Sequence, residues 1–186
     1  MRPANWRVGR YVLGLLFLSS IASAQHHRDP LNQLEIDQLR EARLEPDKRL
    51  KLFVTFARER LASMEKDRSD PKVKDRAGAT HEWLDDFSQL YDELNDNIDM
   101  YVDSKEDLRK TLPAIIEADT EFQSKLLALK QAADVPAKEA AQYEFVLTTS
   151  LEALNSGIAS HRELLEKQKV EFKNKKKTKN NNTPTG

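Results

Sequence analysis

Nine positions, Val73, Ala77, Thr80, Leu84, Phe87, Tyr91, Leu94, Ile98 and Tyr101, follow one another in unbroken steps of four and three. A heptad seam of this length commits its segment to a helix that buries one narrow stripe against other helices. From Pro71 to Val102 such a rod is roughly 45–50 Å long at ~1.5 Å per residue.

The rest of the chain agrees with that commitment. Ala, Leu, Glu, Lys, Gln and Arg dominate, and these are good helix formers. After the first 24 residues only Gly78, Gly157 and Gly186 remain as glycines, too few for the turns of an all-β domain. Cysteine is absent, which removes disulfides, thiol catalysis and thiolate metal sites.

Residues 1–24 read as a secretory signal peptide. Arg2, Arg7 and Arg10 precede the apolar run Tyr11 to Leu18, and Ala22-Ser23-Ala24 supplies small residues for cleavage. The run is short of the ~20 apolar residues that span a bilayer. The expected address is the periplasm or the extracellular space, with no transmembrane helix after cleavage. Residues 25–172 are then a helical bundle domain, and 173–186 a disordered Lys/Asn-rich tail.

Proline marks the helix starts. Asp29-Pro30, Glu45-Pro46, Asp70-Pro71 and Val135-Pro136 each stand ahead of a helical pattern, where the missing N–H costs nothing. The spacing predicts a first helix over 31–44 and a second over 46–68, the latter carried by Leu50, Phe53, Val54, Ala57, Leu61 and Met64. The third covers 71–102. Ser104 then reads as the cap of a fourth helix that uses Leu108, Leu112, Ile115, Phe122, Leu126 and Leu129, kinked at Pro113. The fifth covers 136–172. Short links give an all-α, up-and-down antiparallel bundle of four main helices, braced by the short first one. The seam can be satisfied within one chain or between two, so a homodimer stays open.

Several residues stand out chemically. Asp92, Asp96, Asp99 and Asp103 repeat at heptad spacing beside the seam, within a stretch from Glu82 to Ser104 that holds no Lys or Arg. Acids near a helix C-terminus oppose the macrodipole. Basic residues of the second helix and its exit are the expected compensation across the helix flanks. The other reading is a docking face for a basic partner, or loose divalent-cation binding. Asp119 interrupts the apolar stripe of the fourth helix and His161 that of the fifth. Buried polar groups need partners. A simple hairpin places Asp119 near Tyr91 and His161 far from it, so no dyad is expected. Both are expected as polar core residues that fix register, with a ligand pocket as the alternative.

Cleavage after Ala24 makes His27 the third residue of the mature chain. With His26 and a free amine it forms a candidate square-planar site for Cu or Ni; no other cofactor is implied. His81-Glu82-Trp83-Leu84-Asp85 misses the zinc-protease helix motif because Asp85 stands where the second His belongs. No nucleophile with an oriented base is recognisable, so an enzyme is not expected. The formal net charge of −1 hides an acidic body between an arginine-bearing leader and a tail with five lysines, Lys173, Lys175, Lys176, Lys177 and Lys179. That balance points away from nucleic acid and toward a protein partner or an anionic envelope polymer.

Glu45 to Leu52, Phe56 to Leu61 and Tyr143 to Val146-Leu147 carry a resemblance to a group of exported, all-helical bacterial proteins with no assigned function. The likeness covers most of the mature chain and implies no activity or site residue. The architecture also looks loosely like that of periplasmic helical chaperones, though the Leu-Thr-x-x-Gln repeats of one such family are missing. The expected function is a non-catalytic interaction, scaffold or chaperone-like module; the alternative is a metal- or small-ligand-binding bundle.

Overall fold

A computed structural model describes residues 29–132 and 135–181, with side chains through Asn174. Residues 1–28, with the expected signal peptide, His26 and His27, lie outside the described residues. Helix α1 runs Gln33–Glu41 and ends in a 3-10 turn, Ala42–Leu44; α2 is Pro46–Ser69, α3 Arg76–Asp103, α4 Leu112–Lys130 and α5 Ala137–Asn181. The protein is an all-α bundle of four main helices with α1 as a brace, and no strand occurs among the described residues. No helix among them is long and apolar enough to cross a membrane.

Helix starts divide between proline and capping chemistry, and Val135-Pro136 leads directly into α5. Pro46 does open α2. Asp29 and Asp70 instead form local turns, their carboxylates accepting the N–H groups of Leu31 and Lys72. α1 starts later, where Asn32 and Glu35 form a reciprocal capping box. α3 starts where the Asp75 carboxylate accepts from Gly78. Val73 therefore drops out of the seam, and the other eight seam positions are buried.

Between α3 and α4 the expectation fails in an informative way. Ser104 is the C-cap of α3 rather than the N-cap of the next helix, its hydroxyl donating to Met100 O. Lys105 takes a left-handed conformation, φ 63°. Lys105 N–H and Glu106 N–H then return to the carbonyls of Val102 and Tyr101, the paired bonds of a Schellman ending. α4 begins only at Leu112, so Pro113 sits in its first turn, where no bond is lost and no kink is required. The intervening chain is clasped by Gln168 of α5, which accepts from Leu108 N–H and donates to Glu106 O, 2.9 Å each.

That link carries the chain across the bundle. α2 neighbours α3, α3 neighbours α5, α5 neighbours α4, and α4 closes on α2. Chain direction still alternates from helix to helix. α3 and α4 thus sit diagonally, touching through long side chains: the Phe87 and Phe122 rings meet edge-on at 5.4 Å. Leu50, Phe53, Leu61, Leu84, Leu90, Leu94 and Leu126 fill the centre. Each fully buried side chain of this kind contributes roughly 1.5–3 kcal/mol by transfer from water.

α1 is held by a buried ion cluster. The Arg60 guanidinium lies 2.6 Å from the Glu35 carboxylate, donates to Pro30 O, and stands 3.8 Å from Asp86 of α3. α5 continues to Asn181, so Lys173 to Asn181 form helix where a disordered tail was expected. Extending an existing helix costs only one residue's ordering per added hydrogen bond, and lysine tolerates it.

Candidate functional site

The polar residues of the core converge where α3, α4 and α5 meet. Asp119, wholly buried, accepts from the Tyr91 hydroxyl at 3.0 Å on one oxygen and faces His161 Nδ1 at 2.8 Å with the other. The Tyr91 partnership is the expected one. The separation of His161 from Asp119 is not: the two are hydrogen-bonded. The error lies in the helix register. α5 begins about three turns beyond the point where a tight hairpin would start it. Its first turns cover the exit of α2, where Arg68 meets Glu139 at 3.5 Å and stacks on the Tyr143 ring. Only afterwards does α5 meet α4, with Gln123 bonded to Asn155. α3 is 28 residues long and α4 only 19, so α5 must cover the half of α3 that α4 leaves bare.

Gly157 makes the cluster possible. A Cβ placed there would stand 2.0 Å from the Tyr91 oxygen. Its absence lets the phenol pass against the α5 backbone and reach Asp119. The Tyr91 ring is also stacked with Phe87, 6.0 Å between centroids. Burial, and then the Asp119 carboxylate beside it, push the Tyr91 phenol well above its usual range.

With the carboxylate accepting from both neighbours, His161 Nδ1 carries the hydrogen, and in the neutral form of the ring the lone pair is then on Nε2. Among the described residues no group bonds Nε2. The only fully enclosed side-chain nitrogen or oxygen without a partner there is Tyr101 Oη, so Nε2 keeps an opening. His161 is 3 % exposed and lines a groove of about 360 Å³ between α3 and α5. Asp99, Asn95, Ser156 and Ser160 also line it. The arrangement holds an oriented base, as hydrolytic sites do, but no hydroxyl lies within hydrogen-bond distance of Nε2 among the described residues. The nucleophile half of such a site is not assembled.

The second feature is the acidic ridge. Asp92, Asp96, Asp99 and Asp103 are all exposed along the outer face of α3, and no ion pair engages them among the described residues. The expected compensation by α2 is largely spent elsewhere. Arg58 pairs with Glu121 of α4 at 2.9 Å, Arg68 with Glu139, and Lys48 with Glu45. Arg49 donates to Asn97 and to Leu39 O. Arg60 reaches an acid of α3 away from the ridge, Asp86. The last turn of α3 holds no basic residue. Partial burial, and then the neighbouring Asp96, raise the Asp92 carboxyl above its ordinary value. Asp92 and Asp96 edge a second groove of about 600 Å³ toward α1 and α2, while Asp99 edges the His161 groove.

His81 is exposed, and Asp85 accepts from Gln89 rather than facing a metal. Among the described residues no group of three or more His, Asp or Glu side chains is placed to hold a metal ion. Sequence reasoning found Tyr91, Asp119 and His161 but missed Gly157, Asn95, Ser156 and Ser160. Gly157 carried a usable signal, because a glycine inside a helix costs about 1 kcal/mol against alanine and so marks a close approach. No protein-family model, no characterised protein and no solved structure matches this chain.

Proposed function

We propose that this protein is an exported, non-catalytic interaction module that docks a basic partner, a protein segment or a cationic envelope component, along α3. The observation that carries the reading is the ridge itself: four exposed carboxylates at heptad spacing, unpaired among the described residues, while Arg49, which shares a groove with Asp92 and Asp96, gives its hydrogen bonds to Asn97 and Leu39 O. Self-repulsion on one helix face costs stability, and the cost is recovered when a partner brings positive charge. The signal-peptide pattern of residues 1–24 supports an envelope setting.

The test is affinity capture from envelope extracts with the wild-type chain and with a variant carrying Asp→Asn at 92, 96, 99 and 103. A partner held by the ridge is released by raised salt and lost with the neutralised variant, while neutralising Glu152 and Glu163 on the exposed side of α5 leaves it bound. A partner retained by the ridge variant at low salt would overturn the reading. A second reading, a small-ligand-binding bundle, is favoured by one observation: His161 is buried, held by Asp119, and open to a groove at Nε2.

A further inference from the structure

We propose that the groove between α3 and α5 binds a primary alkylammonium group, presented by a lysine side chain or by a small alkylamine, with His161 Nε2 and Asp99 as its acceptors. The proposal adds to the ridge reading without depending on it, since a free amine can fill the groove in the absence of any partner.

The geometry of His161 comes first. The ring is 97 % withdrawn from solvent, and its Nδ1 edge is fixed by a carboxylate that Tyr91 also holds. Fixing Nδ1–H on Asp119 holds the ring of this groove-lining histidine in one orientation and leaves Nε2 as the ring nitrogen a ligand can meet. Nε2 has no donor among the described residues and is not enclosed, so a ligand that supplies an N–H can take the place of water there.

The other groove residues favour the same kind of ligand. Asp99 adds a carboxylate, and no Lys or Arg lines the space. Asn95 donates one amide hydrogen to Tyr91 O at 2.9 Å, and its carbonyl oxygen is an acceptor. The polar inventory is thus rich in acceptors and negative in charge, which suits a cation with several N–H donors and repels an anion. Ile98, Val102 and Leu164 supply apolar wall for a hydrocarbon chain. The volume, about 360 Å³, is at the small end of ligand sites and matches a short amine rather than a cofactor. A transition metal would find only His161 and Asp99 as its usual ligand types here, short of the sets of three or more that hold one.

The experiment follows the His161 imidazole 15N signal of the labelled protein during titration with n-butylammonium chloride. Saturable movement of the Nε2 resonance is expected, as is the same movement with lysine amide if a protein side chain is the natural source. Trimethylbutylammonium keeps the charge and the chain but has no N–H, so its binding should be weaker by at least about tenfold. Asp99→Asn, an exposed change that leaves the core intact, should weaken butylammonium by about tenfold, and Ser156→Leu should block it by filling the groove. Three results would each overturn the proposal: no saturable shift with either amine, equal binding of the trimethyl analogue, or a His161 signal that answers Zn²⁺ while ignoring both amines.

Discussion

Tyr91 touches more of what distinguishes this bundle than any other side chain. Its hydroxyl crosses the core to Asp119, its ring stacks on Phe87, and its tip occupies the space a side chain at Gly157 would need. Two opposed effects meet in Gly157→Ala. Alanine gains about 1 kcal/mol of helix propensity. The new methyl would also stand 2.0 Å from the Tyr91 oxygen, and the ring cannot swing away without leaving Asp119 short of a donor. An unsatisfied buried acceptor costs about 1–3 kcal/mol, more for a charged group. The clash wins, so Gly157→Ala should lower stability in urea unfolding by about 1–2 kcal/mol. A more stable Gly157→Ala protein would show that the close approach is relaxed in solution. A pH dependence belongs to the same residue. The phenol is neutral in both states below its unfolded value of 10.0, and its folded value lies higher. Above about pH 10 the unfolded chain releases a proton that the native state retains, so stability falls as pH rises. Tyr101 is shifted upward too, chiefly by burial, with Arg49 opposing and Glu106 adding. Comparison with Tyr91→Phe isolates the Tyr91 share: the variant is less stable at neutral pH, but its alkaline decline is shallower.

At the scale of the helices, what could be read from the residues depended on whether a feature was local. The α3 seam was legible because eight of its positions are buried by one straight helix, whatever surrounds it. Pro46 was legible because the first turn of a helix accepts proline in any context. Ser104 was misread because a serine at a helix boundary caps either side equally well on paper. The deciding facts, a left-handed Lys105 and the Gln168 clasp sixty positions away, are respectively unmarked by glycine and non-local. The His161–Asp119 bond was missed for a related reason. Register between α4 and α5 is set by the unequal lengths of α3 and α4 and by where Arg68 receives the start of α5. No single segment encodes that offset. The polar residues of the site were visible as breaks in apolar stripes; which of them meet was a property of the assembled layers. Arg60, Glu35 and Asp86 repeat the lesson, since each reads as an ordinary surface charge until three helices enclose them.

Across the whole molecule, the charge distribution divides labour between two faces of α3. Its inner face is the seam; its outer face carries Asp92, Asp96, Asp99 and Asp103, with a groove on either side. If the ridge serves docking, the free protein bears a stability cost that neutralisation should relieve. Asp99 and Asp103 stand in the final turn of α3, where negative charge opposes the macrodipole by about 0.3–1 kcal/mol each. Asp92 and Asp96 add mutual repulsion, which joins partial burial, the larger cause, in raising the Asp92 carboxyl. The variant with asparagine at all four positions should therefore unfold at higher urea than the wild type, by roughly 1–2 kcal/mol at low ionic strength. The gap should narrow as salt shortens the Debye length toward about 8 Å at 0.15 M and screens the exposed charges. A loss of stability at low salt would mean that some cation already holds the ridge in the free protein, leaving it no vacancy for a partner. A gain, together with loss of the captured partner, would place the same four carboxylates on both sides of one exchange, with folding free energy given up to make a binding face.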